Sequence, residues 1–322
     1  MESTGGPAAI NAFMDTVSRF NGPNESAVLD TEASDTFKGH SIWLYNVAAM
    51  MAARGEIWNW GMDDPILAKE IDEILPGSLG FCTDGVSEQL YFRALREVPI
   101  ALAGYAGKTV LEIGSGAGEG LNFLSRAAPE GRFIGLELSP IAVRRSNALL
   151  ARGDQLRYVQ GDAEALPLGD AEVDVVISVE SSHNYPHPDR FIAEVARVLK
   201  PGGYFSYLDG FTEHRYDVTT LLKRDVPGFE WLSEENISEQ VRAGIRKRMA
   251  PGSHFRRVAE VGNTRLRRHV AFQMQATTMG SPFIGMETSP VVRAMQKLGR
   301  LPSAWTLPVE SYVHSVARRR PE

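Results

Sequence analysis

One cysteine, Cys82, stands among 322 residues, so no internal disulfide can form, and a reducing cytoplasm is the expected location. Long apolar runs are missing too. None approaches the roughly 18 residues of a membrane span, and the stretch after Met1 lacks the basic and apolar regions of a secretory signal. Basic residues are the scarcer sign, 34 Lys and Arg against 40 Asp and Glu, and the net charge of −6 argues against a nucleic-acid partner. There are no internal repeats and no low-complexity tract. What is present, 43% hydrophobic and 23% charged residues, is the composition of an ordinary globular chain, which excludes disordered, coiled-coil and collagen classes. The length suits one large domain carrying an insertion.

Residues 1–36 are rich in Gly, Pro, Ser, Asn and Asp and read as a mobile arm with one helix near 13–20. Ile42, Leu44, Tyr45, Ala48, Met51 and Ala52 recur at helical spacing over 41–53, and further helices are expected over 65–75 and 87–102. Lys108 opens a different pattern. Short apolar strands are expected at 109–113, 132–138, 156–160, 173–179 and 204–209. Between them lie helices at 121–128, 140–150 and 189–199, the second opened by Ser139-Pro140. This alternation predicts an α/β fold with a parallel, doubly wound sheet. Residues 212–300 read as mostly helical and Arg-rich, with helices at 234–249 and 289–298, while 309–317 alternates at period two as a late strand. The chain thus divides into an arm and helical lid (1–107), a core (108–211), a helical cap (212–300), and a late strand with a basic tail (301–322).

The chemistry is concentrated where strands end. Val110-Leu111-Glu112-Ile113-Gly114-Ser115-Gly116-Ala117-Gly118 is a strand, a glycine turn and a helix start, where backbone can approach a ligand and free N–H groups can meet it. A plain tight turn would use the same glycines. Glu137 ends the next strand, about twenty residues on, where a carboxylate can accept both hydroxyls of a ribose. Gly161-Asp162-Ala163-Glu164 follows the third strand. Three such elements at the carboxyl ends of consecutive strands mark the ligand edge of an open α/β sheet. Gly120 comes one residue too late for G-x-G-x-x-G, which disfavours NAD.

Taken in order, E-I-G-S-G-A-G, G-L-E-L-S, G-D-A-E-A-L-P, D-V-V-I-S and L-K-P-G-G resemble the motifs of class I S-adenosylmethionine-dependent methyltransferases, over about 108–210. The resemblance implies a Rossmann-like, seven-stranded sheet whose late strand is antiparallel, and S-adenosyl-L-methionine as cofactor. It implies that Gly114, Gly116 and Gly118 pass the methionine moiety, supported by Glu112. Glu137 would bind the ribose and Asp162 and Ala163 flank the adenine, with Leu138 and Val179 completing that site. A narrower resemblance covers Val179-Glu180-Ser181-Ser182-His183-Asn184-Tyr185-Pro186-His187, Arg190-Phe191, Glu194-Val195, Pro201-Gly202-Gly203-Tyr204-Phe205 and Phe283-Ile284-Gly285-Met286. This set is similar to the phthiotriol/phenolphthiotriol dimycocerosate methyltransferases, a group within enzymes of lipids and natural products. Residues 1–100 and 240–270 match it less well.

His183 follows the fourth strand and Asp209 ends the fifth, so neighbouring strand ends would bring them together. In related O-methyltransferases a His in this loop and an Asp after the next strand serve as base and orienter. The expected reaction is methylation of a small natural-product or lipid-like hydroxyl, with His183 and Asp209 in those roles. The alternatives are C-methylation of an electron-rich carbon, aided by His183 or Glu180, and a catalytically silent binding protein of the same fold. A loop His that only shapes the wall is the plain reading of His183. Trp43, Tyr45, Tyr185 and Trp58 are candidates for an apolar acceptor pocket or for core packing. His187, between prolines, is expected at the surface, Arg242, Arg246, Lys247 and Arg248 on a solvated helix face, and Arg318-Arg319-Arg320 in a disordered tail. No metal is expected. Exchange of the N-terminal arm offers a route to a homo-oligomer.

Overall fold

The computed structural model describes residues 7–21, 31–80, 82–302 and 308–321. Two helices, α1 (Pro7–Phe20) and α2 (Thr31–Met51), precede α3 (Pro65–Ile74) and α4 (Ser87–Arg96). The core then runs β1 (Thr109–Ile113), α5 (Glu119–Ala127), β2 (Arg132–Glu137), α6 (Pro140–Leu150), β3 (Leu156–Gln160), β4 (Val173–Val179), α7 (Pro188–Val198) and β5 (Leu199–Phe211). Beyond it come α8 (Glu213–Asp225), β6 (Phe229–Asn236), α9 (Ser238–Met249), α10 (His254–Ala259), α11 (Arg265–Thr278), α12 (Pro290–Lys297) and β7 (Ser311–Arg319).

The seven strands form one sheet in the order β3-β2-β1-β4-β5-β7-β6. β1 to β5 are parallel, and β7 enters antiparallel between β5 and β6. Helices cover both faces, which is why β1 and β4 are apolar without alternation: Val110, Leu111, Ile113, Val173, Val175, Val176 and Ile177 are all fully buried. Local signals agree with the fold. The Ser139 hydroxyl accepts from the Ala142 N–H at 3.1 Å and Pro140 takes the first turn of α6. Because β1 to β5 all point the same way, Gly114, Glu137, Asp162, Glu180 and Asp209 share one edge. No described helix is long and apolar enough to cross a membrane.

Several boundaries differ from the sequence reading. α2 starts ten residues before the periodic stretch, because 31–40 is held by packing rather than by its own polar sequence: Phe13, Val17 and Phe37 form a separate small core, with the Phe13 and Phe37 rings stacked at 5.1 Å. Part of the expected arm, 1–6 and 22–30, lies outside the described residues. α4 stops at Arg96 rather than near 102, since Pro99 disfavours helical backbone at the residue before it. The 212–300 segment is not helical throughout: β6 occupies Phe229–Asn236 and takes 234–236 from the helix expected there. Only Phe229 is buried in that edge strand, so no alternation marked it. Arg318 and Arg319 are part of β7, opposite Tyr204 and Phe229, not a disordered tail. The Arg319 guanidinium donates to the Leu199 and Arg197 carbonyls.

Candidate active site

The turn after β1 is folded tightly under the end of β2: the Gly114 and Ser115 N–H groups both donate to the Leu136 carbonyl at 2.9 Å. Gly114 and Gly118 have φ of +79° and +80°, and a Cβ on Gly114 would lie 2.4 Å from that of Ser181. Glycine is therefore required by both conformation and space. Glu112, fully buried beneath the turn, accepts from the Tyr91 hydroxyl of α4, while its other oxygen has no partner among the described residues. Burial raises its pKa to about 8, so it is largely protonated at neutral pH. One Glu137 oxygen accepts the Gly116 N–H at 3.0 Å and the other the Ser139 N–H at 2.9 Å. Burial raises this carboxyl above the usual range although those bonds pull it down. Asp162 accepts from Lys38 at 2.7 Å, and Lys38 also reaches Glu164 at 2.6 Å, tying α2 to the loop after β3.

The facing wall is the loop after β4. It turns sharply at Glu180, whose φ is +49°, and runs through a short 3₁₀ turn at Ser182–Asn184. Asp209 gathers this loop. Its carboxylate meets the His183 Nδ1 at 2.8 Å and accepts the Ser182 hydroxyl at 2.6 Å, the Gly210 N–H at 2.8 Å and the His183 N–H at 3.1 Å. Arg215 of α8 donates to the Ser182 and Tyr185 carbonyls and Asn21 to that of His183. Burial alone would lower the His183 pKa, but the charge and hydrogen bond of Asp209 outweigh it and the net shift is upward. With Nδ1–H on Asp209, Nε2 is the basic nitrogen of the neutral ring. Glu180 accepts the Trp60 N–H at 2.8 Å and the Tyr312 hydroxyl at 2.6 Å, and burial lifts its pKa to about 7.

Both walls bound one cavity of about 590 Å³, within the roughly 300–1,000 Å³ range of small-molecule sites. It collects Gly114, Gly116, Gly118, Glu137, Leu138, Asp162, Ala163, Val179, Glu180, His183 and Asp209, together with Tyr45, Trp58 and Tyr185. Glu112 sits just behind the turn. Trp43 is not in the wall. The cavity face of α2 is Lys38, Ser41, Leu44, Tyr45 and Ala48, and two residues along a helix is about 200° around it. His187 is buried, not exposed, with its N–H on Glu164 at 2.7 Å. Arg248 is also buried, donating to the Asn59 carbonyl at 2.7 Å and to Ser87, whereas Arg246 and Lys247 are exposed as expected. Lys38, Trp60, Arg215 and Tyr312 had no motif to announce them; each acts through contacts distant in sequence.

Residues 111–207 match a family model described as a methyltransferase domain. The chain carries a methyltransferase domain. It is 40% identical over 154 residues to a fatty-acid O-methyltransferase of Mycolicibacterium smegmatis, covering 46% of this chain and 54% of that protein. It is 42% identical over 162 residues to the phthiotriol/phenolphthiotriol dimycocerosates methyltransferase of Mycobacterium leprae, covering 48% and 55%. The chain therefore spans about half the length of these curated relatives. A solved structure of a putative sarcosine dimethylglycine methyltransferase from Galdieria sulphuraria superposes with a TM-score of 0.53 at 16% identity, covering 86% of this chain and 99% of that one. That likeness concerns the fold alone.

Proposed function

We propose that the chain is an S-adenosylmethionine-dependent methyltransferase acting on a hydroxyl of a small, lipid-like acceptor, with His183 as general base. The relatives support the lipid-like class, since they are named for fatty-acid and phthiotriol methylation. The cavity supports the cofactor. A Cβ would fill the glycine cradle, Glu112 keeps one oxygen without a partner among the described residues below it, and acidic side chains end β2 and follow β3. When bound, S-adenosylmethionine supplies a methyl group already activated on a sulfonium. Gly114, Gly116 and Gly118 would hold its methionine part, Glu137 the ribose hydroxyls through its remaining lone pairs, and Leu138, Asp162, Ala163 and Val179 the adenine end.

The rest falls to the facing wall. Tyr45, Tyr185 and the apolar residues of α1, α2 and α11 exclude water and orient the acceptor. Nε2 of His183 takes the hydroxyl proton as the oxygen bonds to carbon, and Asp209 stabilises the imidazolium that forms. The field of Glu180 also favours the imidazolium. The observation that carries this reading is the 2.8 Å pairing of His183 Nδ1 with Asp209 on the wall of the same cavity as the glycine cradle. The test is mass spectrometry of products from a panel of long-chain alcohols, diols and fatty acids incubated with the chain and S-adenosylmethionine. A methyl ether is expected. Methyl ester formation alone, or methyl on carbon, would reject a hydroxyl acceptor.

A further inference from the structure

Charge on this chain is unevenly distributed. Overall it is acidic, yet residues 256–268 hold five arginines, at 256, 257, 265, 267 and 268, against a single acid, Glu260. Arg256 is already engaged, pairing with Glu260 at 2.6 Å and lying over the Phe272 ring at 4.7 Å. Arg257, Arg265, Arg267 and Arg268 are exposed, and none of them pairs with a carboxylate among the described residues. Between these cations stand three apolar side chains in solvent: Val258 is 49% exposed, Val261 57% and Leu266 55%. They sit on α10, on the corner after it and at the start of α11. The corner is tight, turning at Gly262 with φ of +137°. Exposed apolar tips interleaved with arginines that have no carboxylate partner among the described residues suit neither bulk water nor a neutral protein face. They match the anionic headgroup layer of a bilayer, where charge is attracted to the surface and short apolar groups enter the acyl boundary.

We propose that the α10–α11 corner docks this protein on an anionic membrane surface. The same helix links the corner to the cavity. α11 is 14 residues long, about 20 Å at 1.5 Å per residue, and Met274, Thr277 and Met279 at its far end line the cavity wall. Docking there holds the cavity within one helix length of the bilayer from which a lipid-like acceptor would come. That benefit rests on the acceptor reading above, but the docking itself does not.

The test is flotation of the full chain with vesicles of phosphatidylcholine alone or with 30–40%, roughly, of phosphatidylglycerol. Binding is expected to the anionic vesicles and to weaken as salt is raised. The triple variant Arg257→Gln/Arg265→Gln/Arg268→Gln should lower the partition coefficient by about 100-fold, at roughly five-fold per arginine lost. The pair Val261→Ser/Leu266→Ser should lower it by about ten-fold with all charges kept, from the apolar area no longer buried. Equal partition to both vesicle types, or an unchanged triple variant, overturns the proposal. So does an unchanged apolar pair, which would leave only a general polyanion patch. Circular dichroism confirms that each variant is folded. Methylation of a detergent-dispersed acceptor should be the same in variants and parent. Docking with no methylation of any lipid would count against the acceptor reading and leave the docking intact.

Discussion

The two walls of the cavity are built by different means. The cradle side is made of backbone: N–H groups and carbonyls of the turns after β1, β2 and β3, with glycines where a Cβ would collide and a glutamate fixed by two amide hydrogens. The facing side is made mostly of side chains brought from distant segments: those of Asn21, Tyr45, Arg215 and Tyr312 meet the loop that holds His183, joined by the Trp60 backbone N–H on Glu180. A backbone site tolerates little change and takes one ligand. A side-chain site can be respecified position by position while the sheet beneath it stays the same. One half of the cavity is thus suited to an invariant cofactor and the other to an acceptor that differs between relatives.

The sharpest way to separate the two walls is to remove His183. His183→Ala is expected to lower kcat by about 10²–10⁴-fold, the span of a positioned general base, with S-adenosylhomocysteine affinity nearly unchanged by calorimetry. Retention of most of the rate would leave His183 as a wall residue only. Asp209→Asn should cost less in rate, because the base remains and only its orientation suffers. On the cradle side the expectation is reversed. Glu137→Ala should weaken S-adenosylhomocysteine binding ten-fold or more, about 1.4 kcal/mol per decade, while the His183 ionisation seen by NMR stays where it was.

The pH profile sharpens the comparison further. The His183 pKa is raised in the folded chain, so the proton acceptor is lost on the acid side: kcat should fall about ten-fold per pH unit below that raised value. Stability runs the other way. The imidazolium–Asp209 attraction is fully present below the ordinary histidine value of about 6.5 and is lost as pH rises through the raised one. Melting temperature and rate should therefore move in opposite directions across that window, and parallel movement would exclude His183 as the group responsible. The smallest effect is expected at Lys38, which bridges the walls while partly exposed. Lys38→Ala should weaken cofactor-analogue binding only a few-fold, since the part-exposed pair with Asp162 contributes about 0–1 kcal/mol and the buried Glu164 keeps the His187 N–H as a partner. Trp43→Ala, on the far face of α2, should leave KM for the acceptor unchanged where Tyr45→Ala raises it.

The same contrast decides what the sequence made legible. The cradle could be read because its chemistry is local: each strand, its terminal residue and the following turn are contiguous, and the glycines and Glu137 fall at fixed spacings. His183 and Asp209 were also within reach, since parallel order alone sets neighbouring strand ends side by side. Trp43 is different: periodicity shows that α2 has an apolar stripe, but the register of that stripe against the sheet is settled by Lys38 on Asp162 and by Asn46 on Ser139. Flanking prolines suggest an exposed His187 and a basic helix face a solvated Arg248, yet both are buried, on Glu164 and on Asn59 and Ser87 respectively. β6 carried no pattern because an outer strand with one buried residue needs none.

The insertion of β7 between β5 and β6 has a consequence in time. β5 is complete at Phe211, and its partner on that side begins at Ser311. A ribosome adding about 5–20 residues per second needs roughly 5–20 s to make what lies between. Throughout that interval β5 presents an open strand edge, and β6, made early in it, lacks its native partner. A premature β5–β6 pairing would have to be undone before β7 could enter.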